Sequence, residues 1–248
     1  MGHEKIVQMP TIISGDQLNE NAKVLKEREN MQKCADELNA EEFSDEGIEK
    51  KFINAGIPKR HLKASINDIP KNLLKDMQGF FNKESFYIYG EVGCGKTYLI
   101  SALLKEYIKN NKYTVVTEKC SYTGKCFVLL GHTNRPRFIS VPDLLLKIRL
   151  AFKDNSDYDE ESIISEFADE KFLILDDIGV EKPTEWVLQT LYTIIDRRNR
   201  DMKQTVFTSN YSIIGLKERT SERIVSRIVE LCGKNNILNL KGKDRRLL

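Results

Sequence analysis

The residues with the most chemical content are Gly90-Glu91-Val92-Gly93-Cys94-Gly95-Lys96-Thr97, followed by Tyr98. Their spacing is G-x-x-x-x-G-K-T, and it predicts a loop that wraps a nucleoside triphosphate. Glycines let backbone N–H groups turn inward around phosphate oxygens, where a Cβ would block the approach. A helix beginning at the loop's end adds free N–H groups and the positive end of its dipole. Lys96 is then expected to reach the outer phosphates, and the Thr97 hydroxyl to ligate Mg²⁺. Further along, Asp176-Asp177 close one buried apolar run and Asn210 closes another. Asp176 is the expected Mg²⁺ partner, through water. Asp177 is then free to orient or deprotonate the attacking water, and Asn210 to hold that water or the γ-phosphate. Arg223 and Arg227, four apart on one predicted helix, share a face. An arginine that reaches a neighbour's γ-phosphate spreads transition-state charge. Ion pairing within their own surface is the other reading, and spacing alone leaves both open.

These groups need elements to bring them together. The loop follows the apolar run Phe86-Tyr87-Ile88-Tyr89 and opens onto a helix that runs to about Lys109. Further strands are predicted at Arg137–Val141, Lys171–Asp177, Thr205–Asn210 and Ile237–Leu240, with helices from Pro142, over Trp186–Arg200 and over Ser221–Cys232. Apolar strands alternating with helices predict an α/β fold with a parallel sheet covered on both faces. In such sheets ligands sit beyond the carboxyl ends of the strands, which is where Gly90, Asp176 and Asn210 fall. The segment 153–161 reads as a polar loop. Near 113–136, Tyr113–Thr117 and Phe127–Leu130 flank a turn and predict a β-hairpin insertion. Cys120, Cys126 and His132 match no pair of C-x-x-C knuckles and lack a fourth ligand, so the hairpin is preferred to a zinc site. Upstream, 16–43 carries a narrow helical stripe, a second helix is expected over 45–54, and another over 72–81. Residues 1–55 read equally as a helical appendage for docking a partner or as a partly disordered tail, and 56–248 as the nucleotide-binding domain.

Composition excludes several classes. The chain has 248 residues, 40% hydrophobic and 31% charged, an ordinary globular balance. No apolar run approaches a bilayer span, and the start of the chain lacks a basic region followed by an apolar core, so the expectation is a cytoplasmic protein with no membrane partner. Five scattered cysteines make no disulfide framework, and Cys94 reads as a small residue filling the phosphate loop. The net charge of +2 hides an asymmetry: residues 217–248 hold nine Lys/Arg against four Asp/Glu. A basic end suits either an anionic partner or a solvated face.

Gly90–Thr97, Leu173-Ile-Leu-Asp-Asp-Ile-Gly179, Thr208-Ser-Asn210 and Glu222-Arg-Ile-Val-Ser-Arg-Ile228 together resemble the DnaC/DnaI branch of AAA+ ATPases. Ile57-Pro58-Lys59-Arg60, Glu185-Trp186 and Ile195-Asp196-Arg197-Arg198 fit the same pattern, so the resemblance covers roughly 57–248. It implies a five-stranded parallel sheet of order 5-1-4-3-2, with no full C-terminal lid. It also implies ATP and Mg²⁺ as cofactors, and self-association through an ATP site completed by an adjacent copy. Lys96 and Thr97 take the Walker A roles, Asp176 and Asp177 Walker B, and Asn210 sensor 1. Arg227 becomes the trans finger with Arg223 supporting it, and Arg246 resembles a sensor-2 arginine. Family members load a replicative helicase onto DNA, and here 1–55 would hold that partner. Single-stranded DNA is gripped in the family by regions that correspond to 142–153 and 180–186. Those stretches offer Arg149, Phe152 and Lys153, and Lys182 and Trp186; base stacking on the rings adds ~1–3 kcal/mol per base. Core packing is an equal reading for Trp186. Asp177 stands where most AAA+ proteins outside this branch have Glu, which implies slow hydrolysis. The related IstB transposition helpers, or a nucleotide-gated binding module with negligible turnover, are the alternatives.

Overall fold

A computed structural model describes residues 17–111, 114–119, 126–131, 136–151 and 160–242. The first elements are helices α1 (Gln17–Glu42), α2 (Asp45–Asn54) and α3 (Lys71–Asp76), then strand β1 (Phe86–Tyr89) and helix α4 (Lys96–Asn110). Strands β2 (Thr114–Lys119), β3 (Cys126–Gly131) and β4 (Pro136–Ser140) follow, with helices α5 (Val141–Ala151) and α6 (Glu160–Asp169). The chain continues through β5 (Phe172–Asp176), α7 (Glu185–Arg200), β6 (Gln204–Ser209), α8 (Ile213–Arg219), α9 (Glu222–Cys232) and β7 (Ile237–Asn239). Among the described residues the chain divides into two units, one holding those up to Lys51 and those from Ile108 to Asn134, the other holding the rest.

In the smaller unit β2 and β3 pair antiparallel, Thr114 opposite Gly131 and Lys119 opposite Cys126. Helix α1 lies against both strands. A two-stranded ribbon alone is marginal in water, and a helix packed on it supplies the missing layer.

The larger unit is built on a sheet of order β4-β5-β6-β1-β7, every pair parallel. Counting only these five strands along the chain, the order is 2-3-4-1-5, the expected one read from its other edge. All of β5 and β6 is buried, as central strands covered on two faces must be. Alternation then sorts their side chains. Leu173, Leu175 and Phe207 join the cluster formed with α5, α6, α7 and α9, centred on Leu144, Phe167, Leu191, Ile194 and Ile228. Phe172 points the other way, its ring 5.3 Å from Phe80 and 5.1 Å from Tyr107 of α4. By the same parity Ile174 and Asp176, and Val206 and Thr208 across the register, share the α4 face. That parity decides where the site forms.

The outer edge of β4 is covered by the end of the α2 segment: the Phe138 N–H donates to the Ala55 carbonyl at 2.6 Å. Gly56 makes this possible, with φ of +89° and a position where a Cβ would lie 2.2 Å from the Phe138 carbonyl oxygen. Gly56→Ala should therefore cost roughly 1–3 kcal/mol, read as a lowered urea midpoint with an unchanged m-value.

Two helices lie where the sequence reading assigns none. Helix α6 buries Ile163, Ile164, Phe167 and Ala168, a helical period compressed into ten residues. Helix α8 has seven residues, capped by the Ser212 hydroxyl accepting from the Gly215 N–H. It is too short for periodicity to register. The helix expected over 72–81 divides into α3 and a separate turn, Gln78–Phe80. Arg198 of α7 is wholly buried. It donates to the carbonyls of Phe167, Ala168 and Glu170, which ends α6, and to Gln204 O and Thr205 Oγ1. Burial pulls its pKa down to about 10.

Candidate functional site

The phosphate-loop sequence turns sharply between β1 and α4. Gly93 and Gly95 have φ of 80° and 101°, conformations open to glycine. Glu91 and Val92 are exposed while Cys94 is buried. The loop is pinned to its neighbours by the Gly90 N–H donating to Ser209 O at 3.2 Å, and β7 is held beside it by the Leu240 N–H on Tyr89 O at 2.7 Å. Tyr98, one turn into α4, donates its hydroxyl to Asp68 and accepts from the Ser65 N–H, so it anchors the helix rather than lining the loop.

Lys96 is 5% exposed. Its ammonium donates to Gly90 O at 2.8 Å, Glu91 O at 3.0 Å and Asn210 Oδ1 at 2.8 Å, so all three protons are used. Cys94 Sγ lies 4.0 Å away. Asn210 is held at the tip of β6, next to Ser209, whose hydroxyl donates to Ile178 O and accepts from the Tyr211 N–H. Thr97 Oγ1 faces the two oxygens of Asp176 at 3.2 and 3.1 Å. Three separate strands thus place Gly90, Asp176 and Asn210 around one lysine and one threonine.

Burial pushes the Asp176 carboxyl up to about 6 from its ordinary 3.8, and the charge of Asp177 adds to the rise. Hydrogen bonds from Thr208 and Thr97 and the charge of Lys96 oppose it. A carboxylate that is costly to ionise in isolation is one that gains from a cation. Asp177 adopts a left-handed backbone, φ of +60°, directly after the strand. Behind it, Glu181 folds back so that both its oxygens accept from the Gly179 N–H at 3.2 Å; burial raises its pKa despite these bonds.

The two arginines of α9 differ. Arg227 Nε meets Asp196 Oδ1 at 2.8 Å and its Nη1 meets Glu230 Oε2 at 2.8 Å, with the side chain 37% exposed. Glu230 is also held by Asn199. Arg223 is exposed and makes no ion pair or hydrogen bond among the described residues. In the other candidate surface, the Arg149 guanidinium lies 4.9 Å over the Trp186 ring, whose Nε1 donates to Glu160 at 2.8 Å. Trp186 also packs against the core cluster, and Lys182 is exposed on the loop before it. Phe152, Lys153, Arg246, Cys120 and His132 lie outside the described residues; Cys126 opens β3. No helix among the described residues is long and apolar enough to cross a membrane. Thr208 and Glu181 carry no role in the sequence reading; parity along β6 is the signal that finds Thr208.

No protein-family model matches the chain. It is 27% identical over 150 residues to the replicative helicase loader DnaC of Buchnera aphidicola subsp. Baizongia pistaciae, an alignment covering 60% of this chain and 52% of that protein. It is 23% identical over 176 residues to the replicative helicase loader DnaI of Bacillus subtilis, covering 66% of this chain and 48% of the relative. The chain spans about half the length of the curated relatives it matches. A crystal structure of the DnaC helicase loader superposes with a TM-score of 0.57 at 23% identity, over 74% of this chain and 100% of that one. The replication initiator DnaA bound to AMPPCP and single-stranded DNA gives 0.53 at 17% identity, over 73% of this chain and 50% of that one. The chain therefore resembles the replicative helicase loaders DnaC and DnaI in sequence, and its five-stranded parallel sheet with flanking helices is their AAA+ fold.

Proposed function

We propose that this chain is an ATP-hydrolysing accessory protein of DNA replication that acts as the helicase loaders do. The observation that carries the reading is the meeting of Lys96, Thr97, Asp176 and Asn210 at the carboxyl ends of three strands. Similarity to DnaC and DnaI supports the choice of process, and a DnaA neighbour solved with AMPPCP and single-stranded DNA supports the choice of ligands.

The residues fit a bound nucleotide. The left-handed glycines of the loop would let N–H groups turn inward, and α4, which begins at Lys96, would present the positive end of its dipole to phosphate oxygens. Lys96 would exchange carbonyl partners for phosphate oxygens, a stronger charge-assisted bond. Thr97 and Asp176 would hold Mg²⁺, which when bound neutralises charge on the phosphates. Asp177 would orient or deprotonate the attacking water while Asn210 aligns it. Arg227, with Arg223 beside it, would complete the site of an adjacent copy. Residues 1–55 would dock the replicative helicase, and Arg149, Lys182 and Trp186 would face single-stranded DNA.

Purified protein should hydrolyse ATP slowly, faster with single-stranded DNA, and Lys96→Ala should abolish both rates. It should also co-purify with a replicative helicase. Failure to bind ATP would overturn the reading. Binding with no single-turnover hydrolysis, with or without DNA, would leave a nucleotide-gated binding module in its place.

A further inference from the structure

We propose that Thr208 is a positioning residue that sets both acidic groups of the site through one hydroxyl. The inference rests on the ATPase reading above and deepens it.

Register brings the residue there. Ile174 pairs with Val206 and Leu175 with Phe207, so the next step along the two strands sets Asp176 beside Thr208, on the face that looks toward α4. Thr208 is wholly buried. Its Oγ1 donates to Asp176 Oδ1 at 2.5 Å and accepts from the Asp177 N–H at 2.9 Å. A hydroxyl has one proton and two lone pairs, so the direction of both bonds is fixed: the proton goes to the carboxylate and a lone pair takes the amide. The Thr208 carbonyl accepts from the Ile178 N–H at 2.9 Å, which fixes the following residue as well.

The turn needs this anchoring. A non-glycine residue in the left-handed region costs on the order of 1–3 kcal/mol and persists only where its surroundings over-determine it. Asp177 is such a residue, and its amide is tied to Thr208. Thr208 thereby aims the Asp177 side chain by holding its backbone, and it fixes the rotation of the Asp176 carboxylate that Thr97 meets from the other side. Wholly buried, it acts through these two residues. Groups that orient a metal-binding carboxylate from behind are typically worth about 10–100-fold in metal affinity or activity.

Thr208→Val removes the hydroxyl at nearly constant volume, Thr208→Ser keeps it, and Thr208→Ala removes it without the branched methyl groups. In the nucleotide-free protein, amide exchange at Asp177 should speed up at least tenfold in Thr208→Val and Thr208→Ala and stay near the original rate in Thr208→Ser. Binding of a fluorescent ADP without Mg²⁺ should change little in any of them. The tightening that Mg²⁺ adds should fall about tenfold in the valine and alanine variants, with a matching rise in KM for MgATP and a fall in kcat. Thr208→Ser should recover both. If the valine variant fails to melt cooperatively, the alanine and serine pair decides. Variants that match the original protein in Asp177 exchange and in the Mg²⁺ effect would overturn the proposal while leaving the ATPase reading in place. An unsubstituted protein that binds no nucleotide overturns that reading, and the proposal with it.

Discussion

Arg227→Ala is expected to lower ATP turnover about 10³–10⁵-fold while leaving nucleotide binding to each separate copy intact. Among the described residues Arg227 pairs with Asp196 and Glu230 and with no group of its own phosphate loop, so the effect is expected to pass between copies. Mixing two inactive proteins tests this: Lys96→Ala has a defective cradle, Arg227→Ala a defective arginine. In an equal mixture roughly a quarter of the seams pair an intact cradle with an intact arginine, and activity should return to that extent. A mixture as inactive as its components would make the site self-contained. The ion pairs of Arg227 with Asp196 and Glu230 raise a separate reading, a tie between α7 and α9. Exposed pairs are screened, so the melting temperature should move little. Asp196→Asn, which breaks the same tie while keeping the arginine, is the control.

What could be read from the sequence follows from where each signal resides. The phosphate loop, the paired aspartates and Asn210 were legible because each closes an apolar run, and the ends of parallel strands converge by geometry alone. The strand order came from resemblance and agrees with the pairing found. Spacing could not tell Arg223 from Arg227, since their difference lies in Asp196 on another helix. Arg198 is the instructive case. Its neighbours Arg197 and Arg200 are surface cations paired with Glu161 and Asp196, whereas Arg198 is buried among carbonyls. One clue was present: Leu191, Ile194, Ile195 and Arg198 share one helical stripe, so the arginine had to enter the core. The packing of α1 on β2 and β3 had no such clue, because a contact between segments far apart in the chain leaves no local period.

Asp177→Asn should cut kcat by about 10²–10⁴ with nucleotide affinity preserved, if Asp177 acts on the attacking water. The choice of asparagine matters physically. The backbone at this position is left-handed, φ of +60°, and only glycine, Asn and Asp enter that region readily. Alanine would add a strain of ~1–2 kcal/mol per residue and confound chemistry with folding. Asparagine keeps the size, the turn and the amide bond to Thr208, and removes the negative charge together with the ability to take a proton. Single-turnover hydrolysis under saturating ATP and Mg²⁺ isolates that step from assembly. A rate within twofold of the original would show that Asp177 is there for its backbone, holding the chain in the reversal that carries it from β5 past Ser209. The same asymmetry explains why an aspartate, rather than a longer acid, suits this slot: the left-handed turn accepts the short side chain more readily, at the expense of reach toward the water, and slow hydrolysis is the expected consequence.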